Sequence, residues 1–129
     1  MATVVFFHAH PDDEALATGG TMALMAEAGH RVILVVATRG EEGEPVEGVL
    51  ETGEKLEDRR SSEVEKSAEI LGAARIEFLG YRDSGMVGSD TTSHPNCFWQ
   101  ASKEEAVNRL SKLLSSEEVD LIVVYDPNG

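Results

Sequence analysis

With a single cysteine, Cys97, the 129-residue chain can form no intrachain disulfide, which suits a reducing compartment. Basic residues are scarce. Eleven Lys and Arg stand against 24 Asp and Glu, for a formal net charge of -13. Nucleic acid and anionic membranes both demand a basic surface, so neither is an expected partner. No apolar run approaches the length of a membrane span, and no basic n-region precedes Val4-Val5-Phe6-Phe7, so the cytoplasm is the expected location. Phosphate-binding signatures are missing too: neither G-x-G-x-x-G nor a Walker A sequence occurs. What remains, 41% hydrophobic and 27% charged, is the composition of a globular domain able to bury a core.

Four short apolar runs are present: Thr3–Phe7, Arg31–Ala37, Arg75–Leu79 and Asp120–Tyr125. They are too short for helices and continuous rather than alternating, as strands buried on both faces are. Helical patterns separate them. Residues 16–28 carry Leu16, Gly20, Leu24 and Ala28 on one side; residues 55–71 carry Leu56, Val64, Ala68 and Leu71; residues 103–114 carry Ala106, Val107, Leu110, Leu113 and Leu114 behind a Ser102 cap. The order βαβαβαβ, with right-handed crossovers, predicts an α/β fold with a parallel sheet and helices on both faces. Two long loops, Thr38–Glu54 and Gly80–Ala101, are expected to carry function. Residues 1–129 read as the N-terminal portion of one such domain, and an exposed final strand would favour self-association through the sheet edge.

Metal-capable groups crowd the end of the first strand, in His8-Ala9-His10-Pro11-Asp12-Asp13-Glu14. Open α/β sheets place their ligand crevice at the carboxyl ends of strands. An imidazole and a carboxylate here could supply two ligands to zinc, with Asp12 or Glu14 as a base. The competing reading is a helix-capping cluster with satisfied histidines. Polar residues recur after the other strands: Thr38-Arg39-Gly40-Glu41, Tyr81-Arg82-Asp83-Ser84-Gly85-Met86 and Tyr125-Asp126-Pro127-Asn128-Gly129. Gly40 or Gly43 could permit a close backbone approach. Taken alone, Arg59 and Arg60 read as solvent-facing partners of Glu57 and Glu63. Cys97 has no evident basic partner and is not expected to be a nucleophile.

These motifs together resemble the PIG-L/LmbE-type zinc-dependent N-acetylglucosaminyl deacetylases: Ala9-His10-Pro11-Asp12-Asp13-Glu14, Thr38-Arg39-Gly40-Glu41, Arg60-x-x-Glu63, Leu71-Gly72 and Tyr81–Met86. The resemblance extends over essentially the whole chain and implies a Rossmann-like fold. It implies zinc as cofactor, with His10 and Asp13 as the first two ligands, and Asp12 as the general base that activates water for attack on an amide carbonyl. It implies that Arg60 contacts substrate, reversing the reading from residues alone. Glu41, Asp83 and Tyr125 fall where the family has pocket residues, and His8 has no comparable assignment. The run Ser93–Ala101 and the ending Tyr125–Gly129 are similar to mycothiol S-conjugate amidases, and to the deacetylase of mycothiol biosynthesis. The implied activity is therefore hydrolysis of an amide in a glucosamine-containing thiol conjugate. Deacetylation of an N-acetylglucosaminyl compound is the alternative, and a non-catalytic fragment with a structural role is a further one. In the family a His-x-x-His element follows Tyr-Asp-Pro, giving the third ligand and a carbonyl-polarising histidine. The sequence stops at Gly129 before such an element, so the expectation is an isolated chain with little or no activity.

Overall fold

Valine, isoleucine and phenylalanine dominate the first two strands, where β-branched and aromatic side chains pack well on a pleated surface. In the computed structural model, which describes residues 1–128, these strands are β1 (Thr3–His8) and β2 (Arg31–Val36). They pair in parallel, Thr3 opposite Arg31 through His8 opposite Val36. With β3 (Arg75–Phe78) and β4 (Leu121–Val123) they form one parallel sheet in the order β3-β2-β1-β4. The expected α/β parallel sheet is thus observed. The order reverses direction at β1, and such a switch point opens a crevice at the carboxyl ends of the strands beside it.

Alternate residues of the central strands serve two separate cores. Val4, Phe6, Val32, Leu34 and Val36 face α1 (Gly19–Glu27) and α2 (Leu56–Ile70) through Met22, Val64 and Ala68. Val5, Ile33 and Val35 face Leu110, Leu113 and Leu114 at the end of α3 (Lys103–Leu113). Both faces are therefore covered. α3 starts as its sequence predicts, with Ser102 Oγ accepting the Glu105 amide at 3.1 Å. α2 presents the expected Val64 and Ala68 to the sheet, and Leu71 packs beside them.

The first helix departs from its predicted stripe. It begins with a π-helical turn at Glu14–Thr18, and its buried positions are Gly19 and Met22, while Leu16 is 81% and Leu24 67% exposed. Met22 to Ala26 are apolar around most of the helix circumference, so periodicity could not choose a face, and packing against the sheet did. β4 is also shorter than its apolar run. It lies at a sheet edge with Leu121 47% and Ile122 44% exposed. No helix among the described residues is long and apolar enough to cross a membrane.

Candidate functional site

Each strand ends at the same rim. Immediately after β1 the chain turns sharply, and Asp12 takes φ 120°, the one positive value at a non-glycine residue among those described. Such a backbone costs about 1–3 kcal/mol and persists only when its surroundings fix it. Two groups fix it here. The buried Glu14 carboxylate accepts the Asp12 amide at 2.9 Å, and Arg60 Nη2 donates to the Pro11 carbonyl at 2.6 Å. Arg60 is only 18% exposed, donates also to the Gly40 carbonyl at 3.0 Å, and lies 3.4 Å from Asp12 Oδ2. It is therefore not a solvent-facing partner of Glu57 or Glu63. Arg59 pairs instead with Glu54 at 2.7 Å. The group that comes close at Gly40 and Gly43 is the Arg60 side chain: a Cβ on either would lie 2.2 or 2.7 Å from Arg60 Nη1.

The Asp12 carboxyl, held between these groups, is 58% exposed and open to the crevice side. Burial of its surroundings lifts it above the ordinary carboxylate value, with Arg60 opposing and Asp13 and Glu14 adding to the lift. A less acidic carboxylate is a better proton acceptor near neutral pH. Glu14 cannot share that role, because it is buried and committed to the Asp12 amide. The capping interpretation fails as well. Asp13 precedes the π-helical turn without a side-chain cap bond, and its carboxylate turns back to the His10 amide at 3.0 Å.

His10 lies between two carboxylates. Its Nδ1 is 3.4 Å from Asp13 Oδ2 and its Nε2 is 3.3 Å from Asp83 Oδ1. The pairing with Asp83 raises the imidazole pKa against the effect of burial. His10 in turn holds the Asp83 carboxyl down to about 2, with burial opposing and the Gly85 amide helping. Asp83 is buried and also accepts the Gly85 and Glu42 amides at 3.0 and 3.3 Å. Glu41 accepts the Asp83 amide at 2.9 Å. Asp83 and Glu41 therefore stand behind His10 and brace it. The Asp83 loop is tied down by Arg82, whose backbone bridges that of Asn96 and Phe98 and whose guanidinium pairs with Glu42.

Tyr125, just beyond β4, closes the other side. Its hydroxyl donates to Asp13 Oδ2 at 2.8 Å and accepts the Ala9 amide at 3.2 Å. Burial, despite the opposing Ala9 amide, pushes this phenol up to about 12. On Asp13 burial acts upward, but the Tyr125 hydroxyl and the His10 amide outweigh it and leave the carboxyl below its usual value. His8, unassigned from sequence, is buried with Nδ1 3.0 Å from the Tyr125 hydroxyl and Nε2 2.8 Å from Thr18 Oγ1. Thr18 gave no sequence signal, because only the π-helical turn aims it at His8. Cys97 is fully buried, with its thiol against the Thr92 carbonyl, and is no nucleophile. Gly129, the last residue of the final motif, lies outside the described residues.

The donor set fits zinc. Two ligand atoms each about 2.0–2.1 Å from a tetrahedral ion stand about 3.4 Å apart, which is the separation of His10 Nδ1 and Asp13 Oδ2. The other His10 nitrogen faces a carboxylate, the usual partner of a zinc-bound imidazole. Among the described residues, no three His, Cys, Asp or Glu side chains converge on one point. His10 and Asp13 are thus a pair and not a complete set.

The family model described as PIG-L, GlcNAc-PI de-N-acetylase, matches residues 5–129. A 1D-myo-inositol 2-acetamido-2-deoxy-alpha-D-glucopyranoside deacetylase from Thermomonospora curvata is 42% identical over 135 residues, covering 98% of this chain and 46% of that protein. The chain spans about half the length of the curated relatives it matches. Among solved structures, an N,N'-diacetylchitobiose deacetylase from Pyrococcus horikoshii superposes with a TM-score of 0.75 at 30% identity, over 97% of this chain and 41% of that one. A 4-carboxy-2-hydroxymuconate hydratase from Pseudomonas putida gives 0.69 at 26% identity, over 98% and 49%.

Proposed function

The chain belongs to the PIG-L family, described as GlcNAc-PI de-N-acetylase, and from that premise we propose that the protein hydrolyses the amide of an N-acetylglucosamine-containing small molecule. The carrying observation is the set His10, Asp13 and Asp12, with two zinc-spaced donors beside an open carboxylate on a fixed, strained turn. His10 and Asp13 would hold zinc. When bound, zinc would polarise the amide carbonyl and acidify a nearby water. Asp12 takes the proton from the attacking water at its carboxylate oxygen and can return it to the departing amine nitrogen. Arg60 keeps the Pro11–Asp12 peptide in place and lends positive charge beside Asp12. Asp83, braced by Glu41, fixes the His10 ring. Arg60, Glu41, Asp83 and Tyr125 were expected to touch substrate. Of these, Arg60 stands nearest the base, and the other three act through the ligand pair.

The names of the relatives favour deacetylation of an acetamido sugar over hydrolysis of a mycothiol S-conjugate. The amidase reading keeps the support of the Ser93–Ala101 run, which carries the 71% exposed Trp99. Assaying the longest natural form of the protein on a 2-acetamido glucoside and on a bulky S-conjugate separates the two. Acetate release from the first, lost in Asp12→Asn, is the expected result. Amine release from the conjugate alone would replace the deacetylase reading with the amidase one. Full activity of Asp12→Asn on either substrate would remove Asp12 as the base. The water-adding hydratase of the same fold is a reminder that fold alone does not fix chemistry. The partly exposed β4 edge supports self-association, and a hydrodynamic mass that rises with concentration is the result expected.

A further inference from the structure

Among the described residues, two buried side-chain polar atoms have no hydrogen-bond partner, the Tyr81 hydroxyl and Arg82 Nε. Both residues line one cavity of about 500 Å³, between the Gly80–Ala101 loop and the first two turns of α3. None of its wall comes from His10, Asp12 or Asp13. Tyr81 is 5% exposed and held on three sides. Its amide donates to the Ala37 carbonyl, Phe98 packs 5.1 Å from its ring, and the Arg109 guanidinium lies over the ring at 4.0 Å. Burial raises the phenol above its ordinary pKa, with Arg109 opposing and Glu105 adding to the rise, so the hydroxyl stands beside these two wall residues. The Glu105 carboxylate does not satisfy it, but accepts from Arg109 Nη2 at 2.6 Å instead. Buried polar groups that the protein leaves unpaired are met by water or a bound molecule. At about 30 Å³ for each water, the space far exceeds what one hydroxyl needs, and it has the size of a small-molecule site.

The wall selects the chemistry of what it binds. Its charges are matched, Arg109 with Glu105 and Arg82 with Glu42. Glu104 and Glu105 in the first turn of α3 offset the positive end of that helix. An ion of either sign therefore meets no unpaired countercharge. The free groups are neutral and of both kinds. His94 Nδ1 accepts the Asn96 amide, which leaves Nε2 as a donor. Gln100 Nε2 is spent on the Thr92 carbonyl, which leaves its oxygen as an acceptor. The Asn96 side-chain amide supplies one of each. Ring hydroxyl groups match this mixture because every one can give and take, whereas an apolar ligand would leave the whole set unpaired. We propose that this cavity is a binding site for a neutral polyhydroxylated ring, a sugar or cyclitol, separate from the metal pair. The site stands whether or not the chain holds zinc.

Amide NMR of the chelator-treated, labelled chain titrated with a neutral methyl glucoside tests this. Saturable shifts should cluster at Gly80, Tyr81, Asn96 and Gln100 and spare His10 to Asp13. Tyr81→Phe removes only the orphaned hydroxyl. Its urea midpoint should equal or exceed that of the wild type, because an unsatisfied buried group is gone, while glucoside binding should weaken about fivefold. A purely structural hydroxyl would give the opposite pattern. Asn96→Ala, at an exposed position, should weaken binding by a similar factor and decides the matter if Tyr81→Phe does not fold. A glycoside with a second sugar that binds more tightly and also moves the Asp83 amide would identify the ring as part of a longer molecule. Equal affinity would identify a free sugar. Shifts that never saturate, or that centre on His10 to Asp13, overturn the proposal. So does a lower urea midpoint for Tyr81→Phe, or inorganic phosphate binding at the cavity residues more tightly than the glucoside.

Discussion

Replacing Gly40 by alanine should destabilise the protein through Arg60, whose partners lie on two different loops. Gly40 has φ 69°, and a Cβ there would sit 2.2 Å from Arg60 Nη1, 2.5 Å from Cζ and 2.9 Å from Nε. The guanidinium must move, and it cannot then keep its bonds to both the Gly40 and Pro11 carbonyls. The left-handed backbone costs an L residue roughly 1–2 kcal/mol. Each hydrogen bond to a charged donor is worth about 1.5–3 kcal/mol net of what water gives back. Counting one bond lost, the total is about 2.5–5 kcal/mol. Gly29→Ala is the matched control. It has φ 84° with nothing within 4 Å of the added methyl, so only the backbone cost applies. Urea unfolding of the two variants at neutral pH isolates the Arg60 contribution as their difference, about 1.5–3 kcal/mol. Equal losses within about 0.5 kcal/mol would refute the claim that Arg60 pins the turn carrying Asp12. The same displacement removes the anchor of the Pro11–Asp12 peptide, so acetate release should fall with stability held by osmolyte.

Metal-free Asp83→Asn should lose more stability near pH 5.5 than near pH 9. The Asp83 pKa is depressed to about 2, so its contribution is present above the ordinary carboxylate range and fades as pH falls. The His10 pKa is raised, so its contribution is full below its ordinary value and fades as pH climbs through the raised one. Urea titrations at the two pH values check this, and a pH-independent loss would contradict the pairing. His10→Ala should abolish stoichiometric zinc uptake, as elemental mass spectrometry of protein purified without chelator would show. Retained zinc would place the ion elsewhere. Ser102→Ala removes the Glu105 cap and should cost about 1 kcal/mol. A change in urea midpoint too small to resolve would mean that α3 starts elsewhere in solution.

Local sequence determined the elements and much of the site's chemistry. Val4–Phe6 and Val32–Val36 are continuous apolar runs because both faces of these strands are buried, and that burial was legible as composition. His10, Asp12 and Asp13 were legible because they are adjacent, so one motif fixes their mutual distance. Ser102 and Gly72 marked helix ends through backbone preferences that act within a turn. Tertiary structure decided the remainder. Leu16 and Leu24 face outward because a helix apolar on most sides takes its orientation from the sheet, not from its own period. Arg60 turned inward because the glycines at 40 and 43 leave a space only a folded loop can define. Asp83 and Tyr125 reach His10 and Asp13 across 73 and 112 residues, and Thr18 meets His8 only through a π-helical turn. Periodicity reports which side of an element is apolar. Which polar groups meet at the strand ends depends on strand order and loop closure, long-range terms that no local pattern encodes.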